Sequence, residues 1–353
     1  MEPLGRAQVP AKGWSCSFDE AMELLKKWYD DSQKPFFKKK DLEKISNQLN
    51  RLYNTQRRNT TQKQLISVRG LSKSTILYEV RTGQVITEEE HKQEWEMQQP
   101  KLRYLCYDQI TSLVEDGDMA LVEAFFPLQI DHLALKRAID TKLPVLPDYV
   151  QNTVPVDEFL QGALETWKIH MNGKSLSPFS SLSLLTKSRN ASGSMEFGLG
   201  GSQITMRSAI QHSLMISLKE SLEEKTNQNI NCYSQDPRDT AIDNRDLGQY
   251  GCEVSEDPQA LLQIDNDCIL FSCCPSLPLK EITVDFGRPA MLIWDRVNMG
   301  AYGEWSPRSN PNSHRVLNMI ENEYDCHEFW DLHKKEAAPF GSHLTIYIRR
   351  QAE

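Results

Sequence analysis

No apolar run in the 353-residue chain approaches the roughly 18 to 20 residues that a bilayer crossing requires, so no membrane partner is expected. Glycine and proline are scarce, with 17 of each, which excludes collagen-like and low-complexity architectures. No two of the eight cysteines stand in Cys-x-x-Cys spacing. Reduced thiols are therefore expected rather than zinc ligands or a disulfide framework. The opening stretch MEPLGRAQVPAKGW lacks the apolar centre of a secretory leader. The expected location is the cytoplasm, with the nucleus also accessible. A nucleophile–base–orienter set is missing as well: Ser202, Cys273 and Cys274 have no histidine at a recognisable spacing. Neither a catalytic residue nor a metal ligand is assigned. The trio Cys326, His327 and His333 has no fourth ligand, and His343 reads as the start of a terminal strand over 344–348.

What the chain does have is an uneven charge. Its net charge is −9, yet residues 1–100 hold 17 Lys and Arg against 14 Asp and Glu, leaving 23 against 35 in the remainder. An acidic second part repels phosphate backbones, which argues against general nucleic-acid binding. Lys38, Lys39 and Lys40, with Arg57 and Arg58, form a basic cluster in the first part. It reads either as a solvated helix face or as a surface for an anionic partner. A protein partner is assigned to this N-terminal region.

Residues 1–170 read as helix-rich. Phe18, Met22, Leu25 and Tyr29 recur at helical spacing, followed by Leu42, Ile45, Leu49 and Leu52. Short β-prone pieces follow at 65–68, 75–80 and 85–86. The pair Thr87 and Glu90 suggests a capped polar helix to about residue 98, then a strand at 102–107 and a helical pattern from 109 to about 140, interrupted near Pro127. Prolines 144, 147 and 155 suggest a linker. Residues 171–194, rich in Ser, Asn and Gly, read as a flexible loop.

From 195 to 350 the pattern alternates. Apolar pieces near 195–197, 230–233, 252–254, 268–273 and 290–294 are separated by helical stretches near 204–225, 239–250, 258–263 and 277–286. Alternation of this kind predicts βαβ units and a doubly wound, mainly parallel, Rossmann-like sheet. The runs CILFSC and AMLIW are continuously apolar, as strands covered on both faces are.

The chemistry-bearing residues cluster along one expected rim. Gly198, Leu199, Gly200, Gly201 and Ser202 lie between a strand and a long helix, where backbone N–H groups and the helix dipole suit a small anionic ligand. The spacing departs from G-x-G-x-x-G, since Gln203 stands where a third glycine belongs. The segment also serves as a plain turn. Arg207 lies in the first turns of the following helix, within reach of such an anion, while His212 reads as a packing residue. Asp236 ends the next strand, as a ribose-binding acid or as a turn residue before Pro237. Ser272 ends the strand at 268–273. In a doubly wound sheet these residues converge beyond the carboxyl ends of the strands.

Four segments in order, FGLGGSQITMRSAIQHSLMISL, INCYSQDP, GCEVSEDPQALLQID and CILFSCCPSLPLKEITVDFGRPAMLIWDRV, resemble the Sensitivity-to-Red-Light-Reduced (SRR-like) domain. Arg288, Pro289 and Ala290 before the last strand, and the tail NPNSHRVLNMIENEYD, are similar to its fungal branch. The resemblance covers 195–297 closely and 298–348 loosely. It implies a non-enzymatic regulator of the kind linked to light signalling, the circadian clock, haem biosynthesis and stress tolerance. It names no cofactor. An anion- or nucleotide-binding enzyme or sensor using 198–202 is the alternative.

Overall fold

The computed structural model describes residues 17–31, 34–56, 64–80, 82–88, 93–138, 183–188, 202–235, 241–273, 275–297, 310–328 and 344–351. The chain forms two compact units, divided between Val150 and Gln151, earlier than the boundary expected at 170.

In the first unit, helix α1 (Phe18–Asp30) opens on a capping box. Ser17 Oγ accepts from the Glu20 N–H, and the Glu20 carboxylate accepts from the Ser17 N–H at 2.9 Å. Its buried stripe is Ala21, Leu25 and Tyr29, one turn apart. Helix α2 (Lys39–Gln56) buries Leu42, Ile45, Leu49 and Leu52 in the same way. Strands β1 (Gln64–Arg69) and β2 (Thr75–Val80) form an antiparallel hairpin. Burial alternates along it: Ile66, Val68, Ile76 and Tyr78 are inside, while Leu65 and Leu77 are 53 % and 38 % exposed. A second antiparallel sheet joins β3 (Val85–Glu88), β4 (Gln93–Tyr104) and β5 (Leu128–Ala138), with helix α3 (Tyr107–Glu115) between the last two.

Strands are thus as prominent as helices in a region expected to be helix-rich. Two expected helices are corrected. The stretch from 87 to 98 carries only Trp95 and Met97 as large apolar residues; two apart, they cannot share a helix stripe but do share a strand face. It pairs instead in β3 and β4. The helical pattern from 109 to 140 stops at Glu115, where Gly117 adopts φ +77°. A 3-10 turn follows at Leu121–Phe125, and beyond Pro127 the chain becomes β5, with Leu128 and Ile130 buried and Asp131 partly exposed.

The second unit centres on a seven-stranded sheet in the order β11-β12-β10-β9-β6-β7-β8. Its strands are β6 (Ser183–Ser188), β7 (Cys232–Ser234), β8 (Cys252–Val254), β9 (Cys268–Cys273), β10 (Met291–Asp295), β11 (Tyr324–Glu328) and β12 (Leu344–Arg349). Strands β10, β9, β6, β7 and β8 run parallel; β12 is antiparallel to both β10 and β11, so the sheet is mixed. The connecting helices are α4 (Ser202–Thr226), α5 (Ala241–Gln249), α6 (Gln259–Leu262), α7 (Leu279–Phe286) and α8 (His314–Glu323). The expected strands at 252–254, 268–273 and 290–294 and the helix at 204–225 all form, within a residue or two at their ends. The loop expected over 171–194 is corrected: residues 183–188 are β6, paired on both edges. The strand expected at 195–197 lies outside the described residues.

Both β9, at all six positions, and β10, at its first four, are buried, the signature of a sheet covered on two faces. One face packs Ile269, Phe271, Cys273, Met291 and Ile293 against Leu214, Met215, Leu218 and Leu222 of α4. Every α4 residue from 211 to 219 is buried, so that stretch has no solvent face. The helix ends where Asn227 takes φ +53°. Glu223 then holds the following turn, accepting from the Ile230 N–H and from Lys219 Nζ at 2.9 and 2.8 Å.

Candidate functional site

Among the five parallel strands the order reverses once. From β6 the chain moves to β7 and β8 on one side, then returns to β9 and β10 on the other. The reversal lies between β6 and β9, which pair along six rows. In open α/β sheets, ligands bind beyond the carboxyl ends of the strands at such a point. The residues at that rim are Ser188, Ser234, Cys273 and Asp295, with Val254 at the outer edge.

The expected site residues fall as follows. Gly198, Leu199, Gly200 and Gly201 belong to the connection from β6 to α4, and Asp236 to that from β7 to α5; all five lie outside the described residues. Ser202 is the first residue of α4, and Arg207 follows within its second turn. Ser272 is the second-last residue of β9, wholly buried, and its Oγ has no hydrogen-bond partner.

Register decides which face each residue serves. Thr186 of β6 stands opposite Ser234 on one side and Phe271 on the other. Ser234 therefore shares the α4-packed face with Phe271, whereas Ser272 belongs to the opposite face. Trp294 shares that opposite face, one row beyond the Ile293–Phe271 pair. Sequence reading missed both Ser234 and Trp294. Ser234 Oγ and Trp294 Nε1 are buried and have no partner among the described residues, as Ser272 Oγ has none. A buried polar atom left unpaired costs about 1 to 3 kcal/mol, so three along one rim is a sizeable expense for a domain to carry. The only signal for them was position: a Ser or Trp at the carboxyl end of an apolar strand. Tyr347 packs edge-on against Trp294 at 6.4 Å and accepts from the Val297 N–H at 2.8 Å; burial first of all pushes its hydroxyl up to about 12.

Other polar groups near the rim have structural duties. Gln235 Nε2 donates to Asp257 at 2.6 Å and Gln235 Oε1 accepts from the Ala260 N–H at 3.0 Å, which ties β7 to the turn before α6. Lys280 is buried at the start of α7, its Nζ donating to Asn312 Oδ1 at 2.7 Å. Arg288 donates to the Val284 and Gly287 carbonyls at the end of α7 and forms a two-oxygen pair with Glu323 of α8. Tyr324 Oη donates to the Pro289 carbonyl at 2.8 Å. The Arg288-Pro289-Ala290 segment is thus a clamp between α7, α8 and the start of β11. His212 is buried in the middle of α4.

The arrangement offers hydroxyl and indole groups that can bind. Among the described residues, no base is paired with Ser234 or Ser272. The model of the SRR1 domain family matches residues 181–334. That span begins just before β6 and takes in the whole reversal point. No curated protein matches the chain.

Proposed function

The chain carries an SRR1 domain, and from that premise we propose a non-enzymatic regulatory protein whose α/β domain is doubly wound and binds a small anionic ligand, with nucleotides the leading class. The observation that carries this reading is the reversal of strand order between β6 and β9. The glycine-bearing connection 198–201 leaves β6 there and enters the N-terminus of the 25-residue helix α4. A helix start offers unpaired N–H groups and a positive dipole end to an anion. Ser202 and Arg207 follow in its first two turns, Asp236 follows β7, and Ser272 lies on the neighbouring strand.

Regulation rather than turnover is favoured by the match to the SRR1 domain family. The N-terminal unit supplies the protein contact, and the protein works in the cytoplasm and nucleus. Placement in the fungal branch rests on the Arg288-Pro289-Ala290 segment and the tail that follows it.

A thermal-shift panel of nucleotides, S-adenosylmethionine and haem tests the reading on the full chain. A ligand that binds the native state at 100 times its Kd stabilises it by about 2.7 kcal/mol. A rise in Tm with a nucleotide, lost in Gly200→Val, is the expected result. Silence across the panel at millimolar concentration removes the ligand, and conversion of the bound nucleotide to product removes the word non-enzymatic.

A further inference from the structure

The N-terminal unit holds a second polar cleft, remote in sequence from the rim, with a volume of about 380 Å³ between α2 and the β1–β2 hairpin. Three elements build it. Asp41, Lys44 and Gln48 lie at i, i+3 and i+7 on α2 and so form one stripe. Arg69 ends β1 and faces Thr75 across the hairpin. Lys73 projects from the turn between the strands. Gln48 fixes the geometry, accepting from the Ser67 N–H at 2.9 Å and donating to the Ser67 carbonyl at 3.0 Å.

Charge is the informative feature. Lys44, Arg69 and Lys73 surround the cleft with a single carboxylate, Asp41, among them, and none of the three cations forms an ion pair among the described residues. Lys73 adds an independent observation. It adopts φ +65°, the left-handed region where glycine or asparagine is the unstrained choice. A turn that needs this conformation is better served by glycine, so a lysine there trades backbone ease for a cation at the cleft. The volume falls in the range of small-ligand sites, roughly 300 to 1,000 Å³. It exceeds a bare oxyanion and suits one joined to a small residue. Arginine with two flanking lysines is the donor set that favours a phosphate group over a carboxylate.

We propose that this cleft is a phosphate-monoester site, with Arg69 as the two-pronged donor and Lys44 and Lys73 as flanking charges. The proposal is independent of the ligand suggested for the SRR1 domain.

The test uses the full chain and three probes by isothermal titration: inorganic phosphate, the peptide Gly-Ala-phosphoserine-Ala-Gly, and its unphosphorylated twin. The phosphopeptide is expected to bind at least about tenfold more tightly than the twin, and Arg69→Ala to weaken it by about tenfold or more. Lys73→Gly is the decisive variant. It relieves the backbone, so its Tm is expected to equal or exceed that of the parent, while phosphopeptide affinity falls about tenfold. Binding of phosphate as tight as that of the phosphopeptide assigns the site to a free phosphate ester; preference for the phosphopeptide assigns it to a phosphorylated partner protein. Equal affinity for the phosphorylated and unphosphorylated peptides without phosphate binding, no binding by any probe, or full affinity in Lys73→Gly overturns the proposal. A loss in Arg69→Ala that accompanies a lower Tm is set aside in favour of the Lys73→Gly result.

Discussion

The two units bury their strands by different rules. In the second, β9 is inside at every position and β10 at its first four. In the first, β2 alternates, with Ile76 and Tyr78 inside and Leu77 at the surface. A parallel strand between two helical layers has no solvent face, whereas a hairpin lying on one layer has one. The contrast teaches where substitution is dangerous. Along β9 neighbouring residues are equally critical; along β2 alternate residues are expendable.

Alanine substitution along the two strands sharpens this most strongly. Phe271→Ala is expected to cost about 3 to 5 kcal/mol and its neighbour Leu270→Ala about 2 to 5. Ile76→Ala falls in the same range, but Leu77→Ala stays within about 0.5 kcal/mol. Chemical denaturation of the four variants gives the comparison. If Leu270→Ala is as mild as Leu77→Ala, the second face of the sheet is uncovered and the contrast fails. Hydrogen exchange on Phe271→Ala adds a check: protection is expected to fall in the second unit first, and equal loss in both units breaks the division at residue 150.

A smaller effect probes the first unit. A Cβ at Gly70 would lie 2.8 Å from the Phe125 carbonyl oxygen and 2.9 Å from the Phe126 ring. Gly70→Ala is therefore expected to destabilise by about 1 to 3 kcal/mol, measured by denaturant midpoint. An unchanged midpoint means that the hairpin and the turn at 121–125 do not pack as closely as described.

The smallest effect belongs to Glu223 and depends on pH. Burial pushes its carboxyl upward, but hydrogen bonds from Lys219 and the Ile230 N–H, with the Lys219 charge, outweigh burial and hold it below the ordinary 4.5. A lowered folded value contributes stability that is present above the unfolded value and disappears as pH falls through the folded one. Glu223→Gln is expected to lose less than about 1 kcal/mol at pH 7 and to match the parent once the pH is below both values. A difference that persists in acid assigns the role of Glu223 to shape rather than charge.

Legibility in the sequence followed the same division. The continuous runs at 268–273 and 290–294 announced a covered sheet, and the structure supplies it. The middle strand of the parallel five was harder to see. Residues 183–188, SLLTKS, carry only two large apolar residues in a Ser-rich setting, so composition pointed to a loop while parallel pairing with β7 and β9 makes it a strand. In the first unit a polar stretch over 87–98 imitated a helix start through Thr87 and Glu90, and long-range pairing with β5 prevailed over that local signal. For the site, Ser272 was legible because it ends an apolar run. Its face was not, since facing depends on register with a strand that composition had concealed. Ser234 and Trp294 escaped for the same reason.

Amide exchange at 183–188 tests the account most directly. If β6 is an interior strand beside which the order reverses, its amides exchange as slowly as those of 268–273, at rates set by opening of the whole sheet. Exchange at 183–188 as fast as at an exposed loop, with 268–273 still protected, contradicts the reversal point and with it the proposed ligand site.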